Sequence, residues 1–136
     1  MLNEIIQRVV QALAENGVSP VYSAFDAVST EKKNKGIFTV VGVGAFETQS
    51  PIYSEYTVFI PFKAETDISV TAPENFSMEK LYTYFTENIE PVITQISGLN
   101  CNMKKLSFKH DSNINRFVLT AKIGVSGLNK VERSST

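Results

Sequence analysis

Residues 53–65 constrain the fold of this chain more than any other stretch. Tyr56, Val58, Ile60 and Phe62 fall on one side of an extended backbone, and Glu55, Thr57 and Lys63 on the other. This is the period-two pattern of a half-buried strand. Thirteen strand residues extend roughly 43 Å. A compact chain of 136 residues has a radius of gyration of only about 14 Å, hence a diameter near 36 Å as a sphere. The strand must therefore overhang the body or bend at Pro61. An overhanging hairpin serves mainly a partner.

Around this strand the pattern predicts a helix, three strands, a second helix and two strands. Leu2, Ile5, Ile6, Val9, Val10 and Leu13 recur at helical spacing, and Asn16-Gly17 offers a left-handed stop. Residues 21–25 read as a short extended segment, and residues 26–36 as a polar loop. Residues 37–44, rich in β-branched side chains, read as a strand in which Gly42 and Gly44 mark a bulge or a close backbone approach. Ser77 is a good N-cap, with Phe76 placed as a staple, for a helix running to about residue 97. Pro91 interrupts that helix and predicts a kink or two helices meeting. Residues 103–110 and 116–126 read as strands joined by a turn over 111–115. The class is α+β: a mixed or antiparallel sheet of about five strands with two helices packed on it. Residues 1–126 form a single domain in this reading, and 127–136 a polar, flexible tail.

Composition narrows the function. Thirteen Lys+Arg against fourteen Asp+Glu supply no cationic field for a phosphate backbone. One cysteine, Cys101, excludes an internal disulfide framework. No apolar run approaches the roughly 20 residues of a membrane span. The N-terminus does not read as a signal peptide, so a soluble intracellular domain is expected. Charge is uneven: residues 1–36 are neutral, 37–76 carry net −4 and 77–136 net +3. This split suggests opposite faces that attract head to tail.

Catalytic motifs are scarce. His110 is the sole histidine and sits beside Asp111 at a predicted strand end, where a surface role is expected. Cys101 reads as a quiet, buried thiol. Gly42-Val43-Gly44 lacks the third glycine and the following helix of a dinucleotide loop. Lys104, Lys105 and Lys109 with Phe108 make only a modest basic strip. The chain is expected not to be an enzyme, with no cofactor, no metal ligand set and no catalytic residue.

The succession of an amphipathic helix over 1–16, the segment 18–22, the strand pair 38–46 and 53–62, the helix 77–97 and a last strand 116–126 resembles a known family. That family is the tail-terminator (tail-completion) proteins of long-tailed bacteriophages and phage-like bacteriocin particles. The resemblance covers nearly the whole chain and is one of layout; no side-chain motif carries over. It implies a ring, usually of six subunits, that caps the tail tube, stops its polymerisation and joins it to the neck. Implied partners are copies of itself, the tube protein and neck, connector or sheath proteins, with no membrane and with DNA at most passing through the lumen. The implied location is the host cytoplasm during assembly and the particle's tail thereafter. Six 36 Å spheres in a ring leave a hole of about the same width. Glu47, Glu55 and Lys63 are expected on the exposed side of the hairpin, and Lys32, Lys33 and Lys35 in a mobile loop at the rim or lumen. The alternatives are another head–tail connector or neck protein, a small-ligand or enzymatic α+β domain, and an adaptor that assembles by strand addition.

Overall fold

The computed structural model describes residues 2–18, 20–23, 36–96, 98–113 and 115–132. Its elements are helix α1 (Leu2–Glu15), strands β1 (Val21–Ser23), β2 (Phe38–Thr48), β3 (Ile52–Tyr53) and β4 (Thr57–Pro73), then helix α2 (Met78–Tyr84). A π-helical turn (Phe85–Ile89), helix α3 (Glu90–Ile93) and strands β5 (Asn100–Asp111) and β6 (Arg116–Glu132) complete the chain. This is the α+β architecture expected, with a sixth, two-residue strand added. The sheet is open, in the order β1-β2-β4-β6-β5, and β3 pairs β4. β1 runs parallel to β2; every other pairing is antiparallel.

Local chemistry explains the helix ends. Gly17 takes φ +88°, which glycine adopts without the Cβ penalty. Its N–H donates to Ala14 O, and the Val18 N–H donates to Leu13 O at 3.0 Å. This paired closure satisfies two of the carbonyls that a helix end leaves open. At the second helix the Ser77 side chain accepts from the Lys80 N–H and Phe76 packs against the core. Pro91 has no N–H to donate and crowds the carbonyl four residues back. The chain answers with the π turn, in which the Glu90 N–H reaches Phe85 O, and restarts with Pro91 in the first turn of α3. The expected break thus takes the form of a widened turn, and the last helical residue is Ile93.

Both helical segments cover one face of the sheet. Ile5, Ile6, Val9 and Leu13 of α1, and Leu81, Phe85, Ile89 and Ile93 of the second helix, share a single core with the strands. β4 contributes its even residues Phe62, Ala64, Ile68, Val70 and Ala72; β6 contributes the odd residues Leu119, Ala121, Ile123 and Val125. The ladder puts these two sets directly opposite one another, as in Ile68↔Ala121 and Ala64↔Val125. Among the described residues no helix lies over the other face, although Phe38, Thr71 and Arg116 are buried on it. Between Val43 and Ala45 the register slips, so Gly44 is the bulge that residues 37–44 foreshadow.

Several strand bounds depart from expectation. The strand read over 53–65 begins only at Thr57, with Tyr53 in the separate β3, while β2 runs on to Thr48 and β5 starts at Asn100. β4 continues past Glu65 to Pro73, and β6 past Ser126 to Glu132. Residues 127–132 are thus strand rather than the start of a loose tail. Gly127, Asn129 and Lys130 make them read as polar, but their backbones pair with Phe62, Ile60 and Phe59 of β4. Residues 133–136 lie outside the described residues.

β4 does not break at Pro61. The Pro61 carbonyl accepts from Gln49 N at 2.8 Å, so the proline nitrogen faces the same side. There β2 has ended at Thr48↔Phe62 and β3 begins only at Ile52↔Phe59. A missing donor in that gap loses no ladder bond. The strand overhangs instead: β3, residues 57–61 of β4 and residues 128–132 of β6 form a three-stranded arm beyond the core. Five residues at strand rise extend it about 17 Å. Phe62 marks its base, stacked on Phe46 at 6.0 Å between centroids and lying across Gly127, where an added Cβ would meet the ring at 2.9 Å.

Candidate functional site

The arm is apolar on both faces. Strand alternation and register put Ile52, Phe59, Pro61 and Leu128 on the side opposite α1 and α2. Tyr53, Val58, Ile60 and Val131 fall on the side that, further along, meets the helices. A half-buried strand alternates apolar and polar, whereas a near-continuous apolar run, here Val58-Phe59-Ile60-Pro61-Phe62, belongs to strands covered on both sides. In the arm the run itself is half-buried from Val58 to Pro61, but the apolar side chains around it are open among the described residues: Ile52 is 54%, Tyr53 68%, Tyr56 68%, Leu128 57% and Val131 44% exposed. Contiguous apolar surface of this kind marks an interaction site.

A second exposed apolar group lies along the seam between α2 and β5. Met78 and Tyr82, one helical turn apart, and Phe108 are all exposed, and the Tyr82 and Phe108 rings stand 6.1 Å apart. Leu106, two residues along the strand, is half-buried against the core.

Beyond its buried end at Phe38 and Thr71, the sheet face opposite α1 and α2 is charged and divided. Glu47, Glu65 and Asp67 stand on β2 and β4, whereas Lys122, Lys105 and Lys109 stand on β6 and β5, all on this same face by register. The acidic middle and the basic C-terminal part of the sequence are therefore neighbours on one face, not opposite faces as expected. They neutralise each other within the chain. Lys122 Nζ lies 3.5 Å from Glu65 Oε1, and the Lys104 stem crosses Gly124, where an added Cβ would meet its Cε at 2.7 Å. Lys104 thereby joins Glu47, Lys63 and Glu65 around a shallow cleft of about 190 Å³. The antiparallel folding of β4 onto β6 produces this outcome, and no count of charges along the chain reveals it.

Of the residues singled out from sequence, Glu47 and Lys63 are cross-strand partners at the foot of the arm. Glu55 sits in the turn at its tip, and all three are exposed. Lys32, Lys33 and Lys35 lie outside the described residues. His110 is exposed, with its ring edge-on to Phe117 at 5.2 Å and Nε2 3.7 Å from Glu74 Oε1. Leu128 and Val131 were hidden from the sequence reading by their polar neighbours. The signal that could have found them is the uninterrupted apolar run of the partner strand.

An open cleft of about 660 Å³ lies at the base of the arm, between Gln49, Phe62, Lys63, Leu99, Asn100 and Leu128. Among the described residues Lys63 is the one ionisable side chain on its wall. Among the described residues no group of three or more His, Cys, Asp or Glu comes together as a metal would require, and no helix is long and apolar enough to cross a membrane. Burial pushes the Tyr84 hydroxyl above its ordinary pKa. Burial also raises the Cys101 thiol, against an opposing pull from the Arg8 guanidinium. Cys101 is therefore expected to alkylate with iodoacetamide more slowly than an exposed cysteine at pH 7.5, its rate climbing only above the usual thiol range. A rate equal to that of a free cysteine at pH 7.5 would contradict its half-buried placement.

No protein-family model matches the chain, and no curated protein matches it significantly. Among solved structures, the type 4 fimbrial biogenesis protein PilO from Pseudomonas aeruginosa overlaps 94% of this chain and 69% of its own, at 8% identity and a TM-score of 0.33. The core region of PilO from the same organism's type IV pilus system overlaps 83% of this chain and 97% of its own, at 8% identity and a TM-score of 0.25. Overlaps at these scores carry nothing about fold or function, which rest on the chain itself.

Proposed function

We propose that this protein is a structural subunit that assembles with copies of itself into a ring. The ring caps a phage-type tail tube, ends the tube's growth and joins it to the neck. The observation that carries the assembly half is the arm, with exposed apolar side chains on both faces, Ile52 and Leu128 on one and Tyr53 and Val131 on the other. The tail half rests on the resemblance in layout that the sequence bears to tail terminators. A heterologous contact repeated through a rotation that divides a full turn closes into a ring, and an arm protruding from one end of the sheet suits such a contact. The test is sedimentation velocity with negative-stain microscopy, with and without purified tail tubes. Closed rings, or tubes capped at one end, are the expected result. A monomer under both conditions overturns the reading. Deleting the gene from a producing strain is expected to give tails of abnormal length; tails of normal length that lack heads would move the assignment to a neck connector.

A further inference from the structure

We infer that two copies of this chain pair edge to edge through the β6 strand of the arm, antiparallel and about a two-fold axis at Val131. The contact is separate from the ring contact and stands or falls without it. β5 borders β6 only as far as Asn100↔Ser126, and among the described residues no strand borders β6 on that side from Leu128 to Glu132. The direction of the backbone there follows from Pro61. Its carbonyl points away from β6, to Gln49 N, so Pro61↔Leu128 is a pair whose backbone groups turn away from each other. With a period of two, Leu128, Lys130 and Glu132 each aim an N–H and a C=O at the open edge. Such a row is a template for another strand.

Charge and space select both the partner and the register. Across a two-fold axis a residue meets its own copy at the centre, and its neighbours meet one another crosswise. An axis at Asn129 would bring Glu132 of the second copy onto Ser126, where Asn100 already stands. An axis at Lys130 sets two lysines side by side, and one at Glu132 sets two glutamates; like charges directly opposite are destabilising. At Val131 the arrangement reverses: Lys130 of each copy faces Glu132 of the other, and Val131 packs on Val131. All three side chains are exposed and free to do so. The two Lys–Glu pairs are also the hydrogen-bonded ones, because both residues point their backbones outward. Lys130 in the middle of the edge deters an unrelated strand, whereas a second copy brings the opposite charge to meet it. The two arms become one continuous sheet whose apolar faces stay free for other contacts.

Disulfide trapping tests this. Val131 meets its copy at a non-hydrogen-bonded pair, where Cα atoms lie about 4.5 Å apart, within the span of a disulfide. Val131→Cys with Cys101→Ser is expected to give a covalent dimer in oxidised glutathione. Asn129→Cys with Cys101→Ser is expected to stay monomeric, because four residues of strand, about 13 Å, separate that position from its copy. Adding Lys130→Glu or Glu132→Lys to the Val131→Cys variant is expected to slow the cross-link about tenfold. Mixing those two variants restores the rate and gives mixed dimers. No cross-link at Val131, equal cross-linking at both positions, or an unaltered rate with Glu132→Lys overturns the inference. Rings on tail tubes without the Val131 cross-link overturn the edge pairing alone; the cross-link without rings or capped tubes overturns the ring alone. Circular dichroism confirms folding. If Val131→Cys does not fold, sedimentation equilibrium of Lys130→Glu and Glu132→Lys, separate and mixed, decides by the same pattern.

Discussion

Replacing Phe85 by alanine is expected to lower the unfolding free energy by about 3–5 kcal/mol, the usual range for a buried Phe→Ala change. Phe85 is fully buried and opens the π turn, and its own carbonyl accepts from the Glu90 N–H. Its ring joins Ile93, Cys101 and Ile123 where the second helix meets the sheet. A domain of this length has a total stability of about 7–20 kcal/mol. The loss is therefore a large share of the whole, equivalent to a drop in Tm of about 10–20 °C. Urea titration by circular dichroism measures it. Tyr82→Ala, one turn earlier on the exposed side, is the control, with a loss below about 1 kcal/mol. A Phe85→Ala loss as small as the control would mean that the helix and the sheet are not packed as described.

The elements legible in the sequence are those whose cause is local. The left-handed Gly17, the Ser77 cap, the break at Pro91 and the bulge at Gly44 each follow from the backbone chemistry of one or two residues, and each is found where the sequence puts it. The arm was half legible. The alternation of residues 53–65 against the size of a compact body implied an overhang, and Pro61 left a bend open as the alternative. The gap between β2 and β3 removes the reason to bend, but that gap belongs to the sheet rather than to the strand. What the sequence hid are features whose cause is a distant partner. Residues 127–132 look polar in isolation and become strand because β4 needs a neighbour there. Lys122 and Glu65 are 57 positions apart in sequence and 3.5 Å apart in space. Tyr82 and Phe108 become one surface only when β5 folds back beside β6 and so comes alongside α2.

Because the arm is apolar on both faces, a further result is expected that distinguishes two-sided burial from a single sticky patch. Tyr53→Ser with Val131→Thr strips one face, and Ile52→Ser with Leu128→Thr strips the other. Each pair is expected to weaken self-association by about a thousandfold. That figure follows from two well-buried interface side chains at about 2 kcal/mol each, with 1.4 kcal/mol to a tenfold change. Neither pair is expected to lower the unfolding free energy of the monomer by more than about 1 kcal/mol, because all four side chains are exposed before assembly and lie beyond the core that begins at Phe62. The two measurements are separable: sedimentation equilibrium gives the association constant, and urea titration at a dilution where the protein is monomeric gives the stability. If only one pair weakens association, the arm is covered on one side alone, and the apolar run of β4 needs another cause. If both pairs instead destabilise the monomer by several kcal/mol, the arm packs within its own chain and is not an assembly device at all.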